Sequence, residues 1–227
     1  MTDIFREVEE DIRQTQLKAL WDRFGILIIG LAVAIVLGTA AAVYWQSEQQ
    51  ARREAAATQF LAAEQLALDG KPADAVAEFA RLAQETDIKG YALLSRMKEA
   101  ATRLETGDRA GAIAAYDAIA ADSSVDQLLR ELASLKAALL LFDTTSADEL
   151  RLRLNPLAAE DSPVRHSANE ALAFLALREN SLDAARGQFQ ALADALDAPM
   201  GIRARAAEIL KSLPAAPAAP SATSPAR

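Results

Sequence analysis

A stretch of 22 residues without a charged side chain, Phe24 to Trp45, limits most strongly what this chain can fold into. As an α-helix it would be about 33 Å long, enough to cross a hydrocarbon core of about 30 Å. A buried helix of a soluble protein is the alternative, but such helices seldom run this far without a charge. The sequence therefore predicts a single transmembrane helix over residues 24–45.

The basic residues on either side of the span indicate its orientation. Four precede it and two follow it closely: Arg6, Arg13, Lys18 and Arg23, then Arg52 and Arg53. This bias predicts a cytoplasmic N-terminus and a C-terminal part outside the cytoplasm. A cleaved signal peptide is the alternative, since Ala40–Ala42 offers a cleavage pattern. However, the span exceeds the roughly 7–15 apolar residues of a signal peptide, so we expect an uncleaved anchor.

The segment before the span, residues 1–23, has the pattern of an amphipathic helix. Its large apolar residues recur mostly three or four positions apart, with charged residues between them: Phe5, Val8, Ile12 and Leu20, followed by Phe24. Such a helix would lie at the cytoplasmic membrane interface or dock on a partner. A solvated helical extension is the alternative.

Small residues recur every four positions inside the span: Gly30, Ala34, Gly38 and Ala42. This spacing places them on one face of a helix, where they would let another transmembrane helix approach closely. Alanine- and glycine-rich spans also produce such patterns by chance. A packing face in the membrane is therefore one of two open interpretations.

The composition excludes several classes of function. The chain has 227 residues, of which 53 are alanine, the best helix former, so small-residue packing between helices is expected. It has no cysteine, which excludes disulfides and thiolate metal sites. Its formal net charge of −8 makes nucleic acid an unexpected partner.

A repeat follows the span. Two matching segments lie 37 residues apart and share a turn glycine, then an alanine, then an aromatic residue: Gly70, Ala75 and Phe79, and Gly107, Ala112 and Tyr116. A third copy begins at Asn180, and a degenerate copy covers residues 146–159. The spacing resembles the second helix of a tetratricopeptide (TPR) unit. The alanines would lie where paired helices cross, and the aromatic residues would fill the gap to the next unit.

These observations predict an all-α chain: one transmembrane helix, then a TPR-like α-solenoid of about four helical pairs and a capping helix. The first helices of the pairs are expected over residues 55–69, 88–105, 125–142 and 164–178, and the capping helix over Ile202–Leu213, with Ile209, Leu210 and Leu213 turned inward. The helical domain would thus cover residues 46–213. Residues 214–227 are rich in proline and alanine and are expected to be a disordered tail.

A stacked solenoid presents a concave groove to peptides or partner proteins. The TPR spacing assigns two sets of residues to it: Thr58, Leu61, Gln65 and Leu68 in the first unit, and Ser95, Lys98, Thr102 and Glu105 in the second. Leu61 and Leu68 would suit apolar client segments. The alternative is that these leucines belong to the core.

The sequence contains no catalytic constellation with credible spacing. GxSxG, HExxH, GxGxxG and GxxxxGK[ST] motifs are all missing. His166 is the lone histidine, and a surface or capping role is expected for it. We therefore predict a protein that is not an enzyme, with no catalytic residues, no metal site and no cofactor.

Three segments carry a resemblance to a known family: LKALWDRFG, VYWQSEQQARREAA and GYALLSRMKEAATRLETGDRAGAIAAYDAI. The chain resembles the YfgM-type ancillary subunit of the Sec translocon over residues 4–213. This resemblance implies a single-pass protein of the bacterial inner membrane with a periplasmic TPR-like domain. It also implies three kinds of partner: the translocon, a membrane-anchored periplasmic isomerase-like chaperone, and emerging client proteins. The acidic N-terminus and the proline-rich tail depart from the family pattern.

Two other classes of function remain open at the level of sequence. The first is an envelope scaffold for cell-wall or outer-membrane assembly, built on the same solenoid. The second is a regulator whose residues 1–23 bind a cytoplasmic signalling protein.

Overall fold

The computed structural model describes residues 3–214, with side chains described for 21–27 and 29–214. Every regular element in this part of the chain is helical: α1 Asp3–Leu68, α2 Pro72–Glu85, α3 Lys89–Glu105, α4 Arg109–Ala120, α5 Gln127–Leu141, α6 Ala147–Leu154, a 3₁₀ helix Pro156–Ala158, α7 Arg165–Arg178, α8 Leu182–Asp194 and α9 Met200–Ser212. The chain divides into two compact units between Ala55 and Ala56.

The first unit contains the apolar stretch. Among the described residues, one helix is long and apolar enough to cross a membrane, namely α1 from Trp21 onward, where the most apolar 18-residue window has a mean hydropathy of 2.8. The only polar side chain midway along it is satisfied internally, since Thr39 Oγ1 donates to the carbonyls of Ile35 and Val36 at 2.9 Å. Tyr44 and Trp45 are exposed at the end of the apolar stretch.

The second unit is a stack of four helical pairs followed by α9. The pairs are the end of α1 with α2, α3 with α4, α5 with α6, and α7 with α8. Each second helix also packs against the first helix of the next pair, so the apolar faces form one continuous series of clusters. This confirms the predicted TPR-like solenoid of about four pairs with a capping helix.

Buried alanines occupy the positions that the sequence predicts for the crossing points within the pairs. Ala75, Ala112 and Ala185 of the second helices are all 0% exposed. Twelve residues before each of them, the first helix of the pair carries another buried alanine: Ala63, Ala100 and Ala173. A methyl group on both sides lets the helix axes approach closely, which a larger side chain would prevent.

Aromatic side chains fill the space beyond the crossings. The ring of Phe79 lies 5.4 Å from that of Phe60, which in turn lies 6.1 Å from Tyr91 on the next pair. Phe189 packs edge to face against Phe174 at 5.3 Å. Such tilted and edge-to-face arrangements are favoured by the ring quadrupoles, so the aromatic residues join neighbouring helices with defined geometry.

Three hairpin turns end their first helix in the same way. Gly70, Gly107 and Asn180 have φ values of 76°, 80° and 58°. In each turn, the amide of the next residue donates at 2.9 Å to the carbonyl five positions back: Lys71 to Leu66, Asp108 to Arg103, and Ser181 to Ala176. This Schellman motif needs a left-handed residue, which glycine and asparagine adopt at the least cost.

The structure corrects some of the expected boundaries. The first helix of the first pair is not a separate element over residues 55–69 but the end of α1. The degenerate copy over residues 146–159 is a short α6 followed by a 3₁₀ turn. In the capping helix, the buried residues are Ile202 and Ala206, while Ile209, Leu210 and Leu213 are only partly buried. The side-chain pattern of residues 1–20 and the tail beyond Pro214 lie outside the described residues.

Candidate partner-binding surface

An open cleft of about 260 Å³ lies between the end of α1 and α3, entirely within the second unit. Its lining comes from both helices, with an aromatic ring from α2 at its base: Glu64, Ala67 and Leu68, then Lys98, Ala101, Thr102 and Glu105, and Phe79. The first helices of two successive pairs form the walls. A surface lined by the first helices of successive pairs is the kind that repeat solenoids use for binding.

The cleft carries an excess of negative charge. Lys98 Nζ lies 2.5 Å from Glu64 Oε1, and this ion pair joins α3 to α1 across the cleft. The two side chains are 45% and 31% exposed, so the pair is accessible to solvent. Within residues 21–214, Glu105 takes part in no ion pair. One carboxylate is therefore left uncompensated beside an ion pair.

The cleft includes four of the residues that the sequence assigned to a groove: Leu68, Lys98, Thr102 and Glu105. Thr58, Leu61 and Gln65 are exposed on α1 but are not part of its lining. Leu61 and Leu68 are 62% and 81% exposed, so neither is a core residue.

Ser95 requires a correction, because it is 0% exposed and does not face a groove. The physical reason is that α3 packs against both α2 and α4, which leaves only a narrow strip of α3 open. Thr102 is 4% exposed, so it contributes to the base of the cleft rather than to its rim.

The repeat spacing did not assign Glu64, Ala67 and Ala101 to the groove, although all three line the cleft. The signal was present, because Glu64 and Ala101 directly follow the crossing alanines of the first helices. At the same position the third and fourth pairs carry Leu139 and Phe174, which are 49% and 38% exposed. The residue type at this repeat position thus changes from charged to apolar along the stack.

The small residues of the apolar stretch are accessible. Gly30, Ala34, Gly38 and Ala42 are all exposed on α1. A Cβ atom added at Gly30 or Gly38 would meet nothing within 4 Å. Among the residues with described side chains, none covers these two glycines, and whether another helix packs there stays a prediction.

His166 lies at the start of α7 in a cluster of charged groups. Its Nε2 is 3.5 Å from Asp197 Oδ2, the same oxygen that accepts from Arg165 at 2.5 Å. These contacts, with the hydrogen bond from Arg165 as the main cause, hold the pKa of Asp197 below its usual value. Among the residues with described side chains, no group of three or more histidine or acidic residues is placed to hold a metal ion.

The stacked helical pairs define a class of protein, the helix–turn–helix repeat solenoids. Residues 18–209 match the family described as "Tetratricopeptide repeat-like domain", and the chain belongs to this family. The matched range includes the apolar stretch as well as the four pairs. Folds of this kind are typically non-enzymatic scaffolds for protein–protein interaction.

One solved structure supports the same fold. It is a crystal structure of a "Podosopora anserina putative kinesin light chain" with "nearly identical TPR-like repeats". The similarity has a TM-score of 0.51 at 14% identity and covers 69% of this chain and 83% of that one. At this identity it shows the fold alone. No curated protein matches the chain.

Proposed function

We propose that this protein is a non-enzymatic, membrane-anchored interaction protein of the bacterial inner membrane. In this role it associates with the Sec translocon and a membrane-anchored periplasmic chaperone, and it binds extended segments of emerging secreted proteins at the cleft between α1 and α3. Residues 24–45 form the anchor, and residues 46–213 form the periplasmic interaction domain.

The observation that carries the proposal is the extent of α1. The same helix contains the uncharged stretch 24–45 and three residues of the cleft, Glu64, Ala67 and Leu68. A segment held in the cleft thus contacts residues 64–68 of this helix, which belong to the second unit. The family match also begins at residue 18 and includes the apolar stretch, which favours a permanent part of the protein over a cleaved signal. The choice of the translocon rests on the resemblance of the three sequence segments quoted above.

Photo-crosslinking in living cells tests the choice of partner. A photoreactive residue at Leu68 should crosslink to secreted proteins and to translocon subunits. The same residue at Leu152, 76% exposed on α6, is the matched control and should not crosslink to either.

A second experiment tests the membrane span. Replacing Gly30 and Gly38 with leucine should reduce co-purification of the translocon if they form a packing face, whereas leucine at Val33 and Val36 should be tolerated. Crosslinks from Leu68 to cell-wall synthases would favour the envelope scaffold, and a cytoplasmic protein captured through residues 1–23 would favour the regulator.

The orientation has its own test. Alkaline phosphatase fused after Leu213 should be active, because we place the domain outside the cytoplasm and the enzyme matures there. A cytoplasmic reporter at the same position is the control and should be inactive. The opposite pair of results would reverse the topology and exclude periplasmic clients.

A further inference from the structure

We propose that the cleft between α1 and α3 selects extended polypeptide segments in which a lysine or arginine stands next to an apolar side chain. This inference rests on the proposed function, because it names the chemistry of the segment held at the same cleft. It follows from the charges and from the apolar surface of the lining.

The charges of the cleft favour a cation over an anion. Lys98 is already compensated by Glu64 at 2.5 Å, whereas Glu105 has no ion-pair partner within residues 21–214. Lys98 and Glu105 are seven residues apart on α3, about 10 Å along the helix axis. Lys98 therefore cannot form ion pairs with Glu64 and Glu105 at the same time. An incoming ammonium or guanidinium group can pair with Glu105 and leave the existing ion pair intact. An incoming carboxylate would meet Glu105 without compensation.

The wall beside these charges is apolar. Leu68 is 81% exposed at the cleft although it is a large aliphatic side chain. Ala67 and Ala101 present only methyl groups on the two walls, and the ring of Phe79 lies at the base. Small walls and an aromatic base leave space for a large apolar side chain from outside. Because Leu68 and Glu105 line the same cleft, a polypeptide segment that binds there should carry an apolar and a basic residue close together.

The remaining charge of the protein acts in the same direction. The formal net charge is −8, so the field of the whole chain attracts basic segments and repels acidic ones. This long-range part is screened by salt beyond about 8 Å at physiological ionic strength, whereas a direct ion pair with the exposed Glu105 acts at contact distance, well inside that length. Selectivity that survives physiological salt is therefore attributable to the cleft.

The test uses the full chain in lipid nanodiscs and three fluorescein-labelled peptides of equal length. The peptides share the same leucines and differ only in the flanking residue, which is lysine, glutamine or glutamate. We expect the lysine peptide to bind about fivefold tighter than the glutamate peptide at physiological salt, from one solvent-exposed ion pair gained with Glu105 and one repulsion avoided. Glu105→Lys should abolish or reverse this order. Leu68→Ser should weaken all three peptides alike.

Glu160→Lys is the matched control, since it changes the net charge equally at an exposed loop position. It should leave the ratio between peptides unchanged. Equal affinity for the three peptides, no binding by any of them, or an equal loss of preference in Glu105→Lys and Glu160→Lys would overturn the inference. A preference that depends on Glu105, without translocon crosslinks in cells, would preserve the inference and refute the proposed function. Translocon crosslinks without a charge preference would support the proposed function and refute the inference.

Discussion

The second and third helical pairs perform the same task with different side chains. In both, the chain after the turn buries three residues at a spacing of four and then three: Ala112, Tyr116 and Ile119 on α4 in the second pair, and Leu150 and Leu154 on α6 with Leu157 on the 3₁₀ helix in the third. All six are at most 5% exposed. The second pair combines a minimal side chain at the crossing with a large aromatic ring beyond it. The third distributes its apolar volume over three leucines.

The turn and the second helix differ as well. The second pair turns at left-handed Gly107, whereas no residue between α5 and α6 has a positive φ. There the amides of Thr144 and Thr145 both donate to the carbonyl of Leu141 at 3.0 Å. The helix α6 is only 8 residues long, because Pro156 lacks the amide that would continue it. The third pair therefore has a shorter contact between its two helices.

Arginines tie the short α6 to its neighbours. Arg153 Nη1 donates at 2.9 Å to Asp117 on α4, and Arg151 donates to Glu179 at the end of α7. Partly exposed ion pairs of this kind contribute little each. Despite these differences, the offset across the turn is unchanged, since Leu150 follows Ala138 by the same 12 residues that separate Ala112 from Ala100. The comparison teaches that the position of the crossing is fixed while the side chains that fill it vary.

The largest expected effect comes from emptying the leucine cluster of the third pair. Leu150→Ala removes a fully buried side chain, and the short α6 has little else to fill the cavity. The free energy of unfolding should therefore fall by about 2–5 kcal/mol. Denaturation of the full-length protein in detergent, followed by circular dichroism, measures this loss. Leu152→Ala on the same helix, 76% exposed, is the control and should change stability by about 0.5 kcal/mol or less. Equal effects of the two variants would mean that α6 does not hold the third pair together.

A smaller effect is expected from making the second pair resemble the third. Ala112→Leu inserts a large side chain at a fully buried position of α4, the predicted crossing with α3, and such overpacking typically costs ~1–3 kcal/mol. The same denaturation measurement applies. Ala114→Leu, on an exposed face of α4, is the control and should be nearly neutral. An unchanged midpoint for Ala112→Leu would show that α3 and α4 can separate as easily as α5 and α6.

Sequence patterns predicted the three regular pairs well because each combines a turn residue, an alanine and an aromatic residue in fixed spacing. The third pair could only be recognised as degenerate, since leucine at the crossing is not distinguishable from any other helix core position. The sequence pattern identified only some of the residues that line the cleft. An error of one residue on α1 moved the assignment from Glu64 to Gln65, and periodicity alone could not show that α3 is covered on two sides, which buries Ser95.

The smallest expected effect concerns the polar contacts in the loops that follow the two pairs. In the second pair, Asp122 accepts from Ser124 Oγ at 2.7 Å, from Arg96 Nη1 at 2.7 Å and from the Ser124 amide at 3.0 Å. The hydrogen bond from the Ser124 side chain, and then that from Arg96, lower the pKa of Asp122 to about 2. The corresponding loop of the third pair is closed by Ser162 Oγ, which donates to Glu131 at 2.6 Å.

Because the pKa of Asp122 is lowered on folding, its contribution to stability is present above the unfolded value of about 3.9 and is lost as pH falls toward about 2. Asp122→Asn should therefore be slightly less stable than the parent protein at pH 7, and the difference should shrink between pH 4 and pH 2. Urea midpoints at both ends of this window measure it. Asp148→Asn, whose side chain is 96% exposed, is the control. If the stability difference between Asp122→Asn and the parent protein stays constant with pH, Asp122 acts through the geometry of its turn rather than through its charge. The loops after the two pairs would then be held in the same way.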